Sequence, residues 1–296
     1  MSTLMILIKR NIKLFFKDKG MFFTSLVTPA ILLVLYATFL GNTYRDSFVS
    51  AVPPGIQIAD DLFDGLVGGQ LVSSILAVSC VTVAFCSNFL MVQDKAGGNI
   101  RDLRISPVRS SVLSMSYFLA TMISTMLICL AATAVCLGYL HTQGWYMAAA
   151  DIAWLCLDVF LLVLFGTALS SVINFFLSTQ GQISAVGAII SAGYGFICGA
   201  YMPIASFSSG LQKVISYLPG TYGTSLVREH SLRGVFAEME AQGVPAEVTD
   251  GLREALDCHI SLGGTVLSDT QKYLLLLAAI VILIAVYIAL NALKKR

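Results

Sequence analysis

Few residues in this chain have the type and setting to do chemistry. Asp158 is the one acid well inside a long apolar run, between Ile152 and Leu177. A carboxylate there marks an ion, proton or substrate site by default. It also lies only seven residues beyond Asp151, about 10 Å along a helix, so a place near the outer interface serves equally. The three histidines (His141, His230, His259) are scattered, and the seven cysteines form no CxxC pair. No metal site is expected, and cysteine is read as a small apolar packing residue. The chain has no G-x-x-x-x-G-K-[ST] phosphate loop, no G-x-S-x-G elbow and no H-E-x-x-H pair. No catalytic residue is therefore assigned, and hydrolysis of ATP by this chain through such a loop is excluded.

A dense cluster of mostly basic charge is the loop 94–109, from Asp94 to Arg109, with Lys95, Arg101 and Arg104. Gly97 and Gly98 permit a sharp turn. Asn99 suits an N-cap, Ile100, Leu103 and Ile105 give a short helix an apolar side, and Ser106-Pro107 stops it. A solvated basic loop would account for the charges alone. The order glycine turn, helix, proline stop describes a knob on which another protein docks.

These residues are positioned by a strongly apolar chain. Of 296 residues, 57% are hydrophobic and 12% charged, about half the charge of a soluble domain. Mean hydropathy is +0.82. A net charge of +1 implies no nucleic-acid partner. Six stretches suffice to cross a ~30 Å hydrocarbon core as helix: 21–40, 69–92, 112–140, 152–177, 182–202 and 273–293. The second is diluted by Ser73, Ser74, Ser79, Thr82, Ser87 and Asn88, which suits a helix facing other helices. The predicted fold is an all-α integral membrane protein, one transmembrane domain over 1–296.

Basic residues orient it. Twelve of the eighteen lie in the N-terminal segment, the loop 94–109 and the C-terminal Lys294-Lys295-Arg296. These segments are expected on the cytoplasmic side, with both termini, and six spans satisfy the parity. The first apolar run is long, with no small-x-small site after it, so an uncleaved start is expected. Residues 1–19 read as an amphipathic interfacial helix. Lys9, Arg10, Lys13 and Lys17 fall within an arc of about 100°, opposite Leu4, Ile8, Ile12, Phe15 and Phe16. Its basic face would meet anionic lipid.

On the other side, 203–272 is an acidic outer loop, read as a small cap with helices at 226–242 and 246–256. The run 210–218 is too short to span and reads as interfacial or re-entrant. Ser191, Gly195 and Gly199 form a small-residue stripe. It serves ordinary close packing, or lets the helix break before Pro203. Pro29 in the first span is a packing kink or a hinge.

The chain resembles the ABC-2 type transporter permeases. The resemblance rests on the amphipathic start and six spans, and on Asp94-Lys95-Ala96-Gly97-Gly98 through Ser106-Pro107-Val108. Its most specific parts are Gly199-Ala200-Tyr201-Met202-Pro203-Ile204 and Tyr217-Leu218-Pro219-Gly220-Thr221-Tyr222. The family often opens its loop with Glu-Gly or Arg-Glu-x-Gly, from which Asp94-Lys95-Ala96-Gly97 departs. The resemblance implies a bacterial plasma-membrane permease, paired with a second identical or paralogous permease and with two separate ABC ATPase subunits. ATP and Mg would be held by those subunits and no cofactor by this chain. It makes Gly97, Gly98, Ile100, Arg101, Leu103, Arg104 and Ile105 the coupling helix, with Leu103→Asp expected to weaken docking while the spans stay folded. Residues 1–19 become the elbow helix. Gly195, Gly199, Pro203 and Pro219 become the outer gate with its re-entrant helices, and spans one, two and five line the dimer axis. The implied cargo is a drug, peptide, lipid or other amphipathic molecule. A polysaccharide exporter of the same superfamily is the near alternative. A secondary transporter would need paired intramembrane ionisable groups, and Asp158 reads as alone. A membrane-bound enzyme, structural or immunity protein is the third class.

Overall fold

Within a bilayer every backbone polar group needs an internal partner, so long apolar runs must become helices. The computed structural model describes residues 3–53, 56, 58–105 and 108–293. Ser106-Pro107 and the C-terminal Lys294-Lys295-Arg296 lie outside the described residues, as do the side chains of Arg101 and Arg104. The elements are α1 (Thr3–Lys17), α2 (Lys19–Leu35), a π-turn (Tyr36–Leu40), α3 (Gly41–Ala51), α4 (Asp60–Ala96) and α5 (Asn99–Ile105). They continue with α6 (Ser110–Gln143), α7 (Ala149–Phe176), α8 (Gln180–Ile197), a 3-10 turn (Ile204–Ser206) and α9 (Ser209–Ser216). Last come α10 (Pro219–Ala241), α11 (Ala246–Ala255), β1 (Ser261–Leu262), β2 (Thr265–Val266) and α12 (Asp269–Leu293). The antiparallel pair β1–β2 is the one departure from all-α structure among the described residues.

Among the described residues, five helices are long and apolar enough to cross a membrane: Lys19–Ser50, Asp60–Ala96, Ser110–Gln143, Ala149–Phe176 and Asp269–Leu293. The expected fifth span falls on α8, which has only 18 residues and ends at Ile197. The expected first span runs on past Leu40, because the π-turn hands it to α3 without a break. It passes through Pro29 as continuous helix.

The centre of the bundle is α4. Its most apolar window is wholly buried, against 17% in α12 and 28% in Lys19–Ser50. That burial explains its serines and threonines. Ser79 donates to the Ile75 carbonyl at 2.6 Å and Thr82 to Val78 at 2.9 Å, so they are satisfied within the helix. Asn88 reaches α7 instead, donating to Ser170 and Ser171 at 3.0 and 2.9 Å.

The segment 203–272 is not a peripheral cap. Its longest helix, α10, starts at Pro219 rather than Leu226 and wedges between α4, α7 and α12. Small residues make the fit. A Cβ on Gly69 of α4 would lie 2.4 Å from Leu232, and one on Gly223 2.4 Å from Leu162 of α7.

Candidate functional site

At the end of the bundle carrying the basic loop, α4 finishes in two adjacent residues of opposite charge. Asp94 is buried and accepts from Arg10 of α1 (Nη1 2.8 Å, Nη2 3.3 Å), Tyr117 of α6 (2.5 Å) and Asn99 of α5 (3.0 Å). Lys95 turns the other way. Its ammonium donates to the carbonyls of Asn174, Phe175 and Leu177 at 2.8–3.0 Å, capping the last turn of α7. One dipeptide thus ties the loop to α1, α5, α6 and α7. The bond to Asp94 raises the Arg10 pKa, which keeps the pair charged.

Gly98, at φ +83°, makes the turn into α5, a conformation that disfavours a side chain. Gly97 has ordinary φ and closes α4 by bonding to the Gln93 carbonyl at 2.8 Å. Asn99 opens α5, and its side-chain amide donates to Asp94. The three apolar residues of α5 divide. Leu103 packs against the main core, and Ile100 lines a small recess with Met91, Leu113 and Tyr117. Ile105 is 84% exposed. Leu103 thus helps seat the helix, and Ile105 is the projecting residue. The expected basic face of α1 is also divided. Lys9, Lys13 and Lys17 are exposed among Met5, Ile6 and Phe16, while Arg10 points inward.

At the opposite end lie the residues around the small-residue stripe. Gly195 faces the ring of Tyr201, with only 2.2 Å for a Cβ, so this position accommodates the chain's own return. Gly199 has φ +67°, and its carbonyl accepts from Arg228 at 3.0 Å. Pro203 precedes the 3-10 turn and Pro219 opens α10. Arg228, 1% exposed, pairs with Asp257 at 3.1 Å, and Asp257 accepts from the Ile204 N–H at 3.1 Å. Burial pushes the Asp257 carboxyl up, against the pull of Arg228. The pair holds 198–204 against α10 and the end of α11.

Asp158 is not alone. His230 Nδ1 of α10 lies 2.6 Å from its Oδ2, and Tyr273 of α12 donates to Oδ1. Trp154 stacks on His230 at 5.7 Å. Lys272 is buried beside them in α12, donating to the Cys258 carbonyl at 2.8 Å. Sequence reasoning missed Arg228, His230, Asp257 and Lys272, having placed them in a small outer cap. The available signal was Gly220, Gly223 and Gly234 around the charged run, small residues that let a polar helix enter a packed bundle.

A helical bundle with five candidate spans defines a multi-pass protein of the helical membrane class. The family model of ABC-2 type transporters matches residues 2–230, and the chain belongs to that family. The match covers α1 to α9 and ends within α10. No curated protein matches the chain.

Proposed function

We propose that this chain is the permease subunit of an ATP-driven exporter in the bacterial plasma membrane, with both termini cytoplasmic. On this reading α8 and the segment after it make the sixth crossing, and α9 lies re-entrant or interfacial at the outer side. Two permeases pair, and two ATPase subunits that hold ATP and Mg seat against α5. Residues 198–204, with Pro219, form the outer gate. The cargo is a drug, peptide, lipid or other amphipathic molecule, which would make multidrug efflux one form of the activity. The supporting observation is the Asp94–Lys95 node. A push on α5 reaches α1, α6 and α7 through hydrogen bonds, while the exposed Ile105 offers an apolar contact. Membrane-facing Lys9, Lys13 and Lys17 would hold α1 at the headgroups.

The test separates docking from folding. Ile105→Asp is expected to lower ATPase co-purification at least tenfold with an unchanged melting temperature. Leu103→Asp should lower both. Normal co-purification with Ile105→Asp would refute the docking role.

The Asp158–His230 pair favours a second reading, transport driven by an ion gradient, because it supplies the paired buried groups that mechanism needs. Under the exporter reading, Asp158→Asn keeps ATP-dependent transport insensitive to a proton uncoupler. Transport that stops with the gradient while ATP remains would favour the second reading.

A further inference from the structure

We propose that the cleft between α6 and α12 holds an anionic phospholipid, with one acyl chain in the cleft and the headgroup at the basic end of the bundle. The inference needs α6 and α12 to cross the membrane, and does not need the chain to be an exporter. Ser111, Met115 and Phe118 line one wall, on one face of the first turns of α6. Ile284, Ile288 and Ala292 line the other, on one face of the last turns of α12. The cleft opens because both helices lean on α7. α12 packs mainly on α7 and α10 and only thinly on α6. Its most apolar window is 17% buried, the least of the five candidate spans.

Size and lining suit hydrocarbon. The volume is about 270 Å³, below the roughly 300–1,000 Å³ of pockets that enclose a drug-sized molecule. From Ser111 to Phe118 the cleft runs about 10 Å along α6, most of one leaflet's half of a ~30 Å core. The polar groups of its lining are engaged with one another. Ser114 donates to Asn291 Oδ1 at 2.6 Å, the Asn291 amide to the Tyr287 carbonyl at 2.8 Å, and the Tyr287 hydroxyl to the Ser114 carbonyl at 3.2 Å. Phe118 and Tyr287 stack with centroids 6.1 Å apart. The surface left open is apolar, with Met115 42% exposed and Ile288 55%. A polar cargo would find those groups already occupied, whereas an acyl chain makes dispersion contacts with both walls.

Charge selects the headgroup. Arg109 is exposed and directly precedes α6. Past Ala292 and Leu293 the sequence continues as Lys294-Lys295-Arg296. Neither 105–118 nor 270–296 contains an acid. Four bases therefore flank the first turn of one wall and the last turn of the other, and bases at a membrane surface attract anionic lipid. Positive-inside sorting accounts for the charges, and a lipid-facing surface accounts for the apolar residues. Neither accounts for a cleft that ends at the charges. The bound lipid supplies contact that α6 and α12 do not make with each other, and so braces the least buried span.

The test uses the full chain in detergent, titrated separately with dioleoylphosphatidylglycerol and dioleoylphosphatidylcholine, with retained lipid counted by native mass spectrometry. The wild type should retain one phosphatidylglycerol at least tenfold better than phosphatidylcholine, and that lipid should raise its melting temperature. Ala292→Trp fills the cleft from an exposed position. It should lower phosphatidylglycerol retention at least tenfold, with the lipid-free melting temperature unchanged. Ser111→Trp does the same from the facing wall, and serves if Ala292→Trp does not fold. Arg109→Gln combined with Lys294→Gln, Lys295→Gln and Arg296→Gln should abolish the preference between the two lipids. Equal retention of both lipids by the wild type, or full retention by a folded tryptophan variant, would overturn the site. A wild type that holds no lipid, but whose dimer is lost in Ala292→Trp, would assign the cleft to a second copy and overturn it as well. No ATPase is present, so none of these outcomes decides the exporter reading.

Discussion

Replacing Asp94 with alanine should uncouple the protein while leaving most of it folded. The carboxylate is the common acceptor for Arg10, Tyr117 and Asn99, and its side chain is only 4% exposed. Breaking a buried ion pair costs about 3–5 kcal/mol. The loss here falls below that range, because the Arg10 side chain keeps 30% of its exposure and can turn to water. The damage is local. Tyr117 is left buried with an unpaired hydroxyl, α1 loses its charged tie, and α5 keeps only its apolar seat. Stimulation of the ATPase by the permease should fall at least tenfold, with a melting-temperature loss of a few degrees. Replacing Arg10 and Asp94 together by Met and Leu separates the two effects. It should restore most of the stability, since an apolar pair of similar volume replaces the ions, and leave the coupling lost. Full coupling in Asp94→Ala would show that α5 is positioned without the node.

Gly234→Ala should be the most damaging single-methyl change in the chain. The added Cβ would sit 2.0 Å from the Tyr146 carbonyl oxygen and 2.6 Å from its carbon. Overpacking ordinarily costs about 1–3 kcal/mol, and more when the obstacle is backbone that cannot rotate away. Either α10 lifts from the α6–α7 linker or the linker shifts, and both displace the Asp151–Arg233 and Asp158–His230 pairs. The yield of monodisperse protein in detergent should fall severalfold. Gly210→Ala and Gly251→Ala are the controls, because a Cβ at either meets nothing within 4 Å. Equal yields for all three would mean that 219–241 is a peripheral segment after all.

The boundary between what was legible and what was not runs through particular residues. The serines of α4 marked a helix that faces other helices, and its burial agrees, because polar dilution of an apolar run reports its neighbours directly. Gly98 was readable as a turn, since positive φ has a residue signature. The bond from the Asn99 amide to Asp94 was not readable, because it joins the turn to a residue whose burial only the bundle decides. The apolar residues of α5 looked equivalent in sequence, and only the packing of Leu103 and exposure of Ile105 distinguished them. The stripe Ser191–Gly195–Gly199 looked like a helix contact. In the fold Gly195 meets Tyr201, and Gly199 meets Asp257, Ile204 and Arg228 of α10, so returning chain and a helix both crowd it.

By itself, the order of residues determined that this is a helical membrane protein with a basic loop at one end and no phosphate loop of its own. Hydropathy and charge act over tens of residues and need no knowledge of neighbours, so they survive in one dimension. Tertiary structure decided which charges are buried. Asp158 met His230 across 72 residues, Asp94 met Arg10 across 84, and Arg228 met Asp257 inside a segment read as an outer cap. A polar group enters a low-dielectric interior only where its partner is waiting, and that partner comes from another helix whose register no local pattern records.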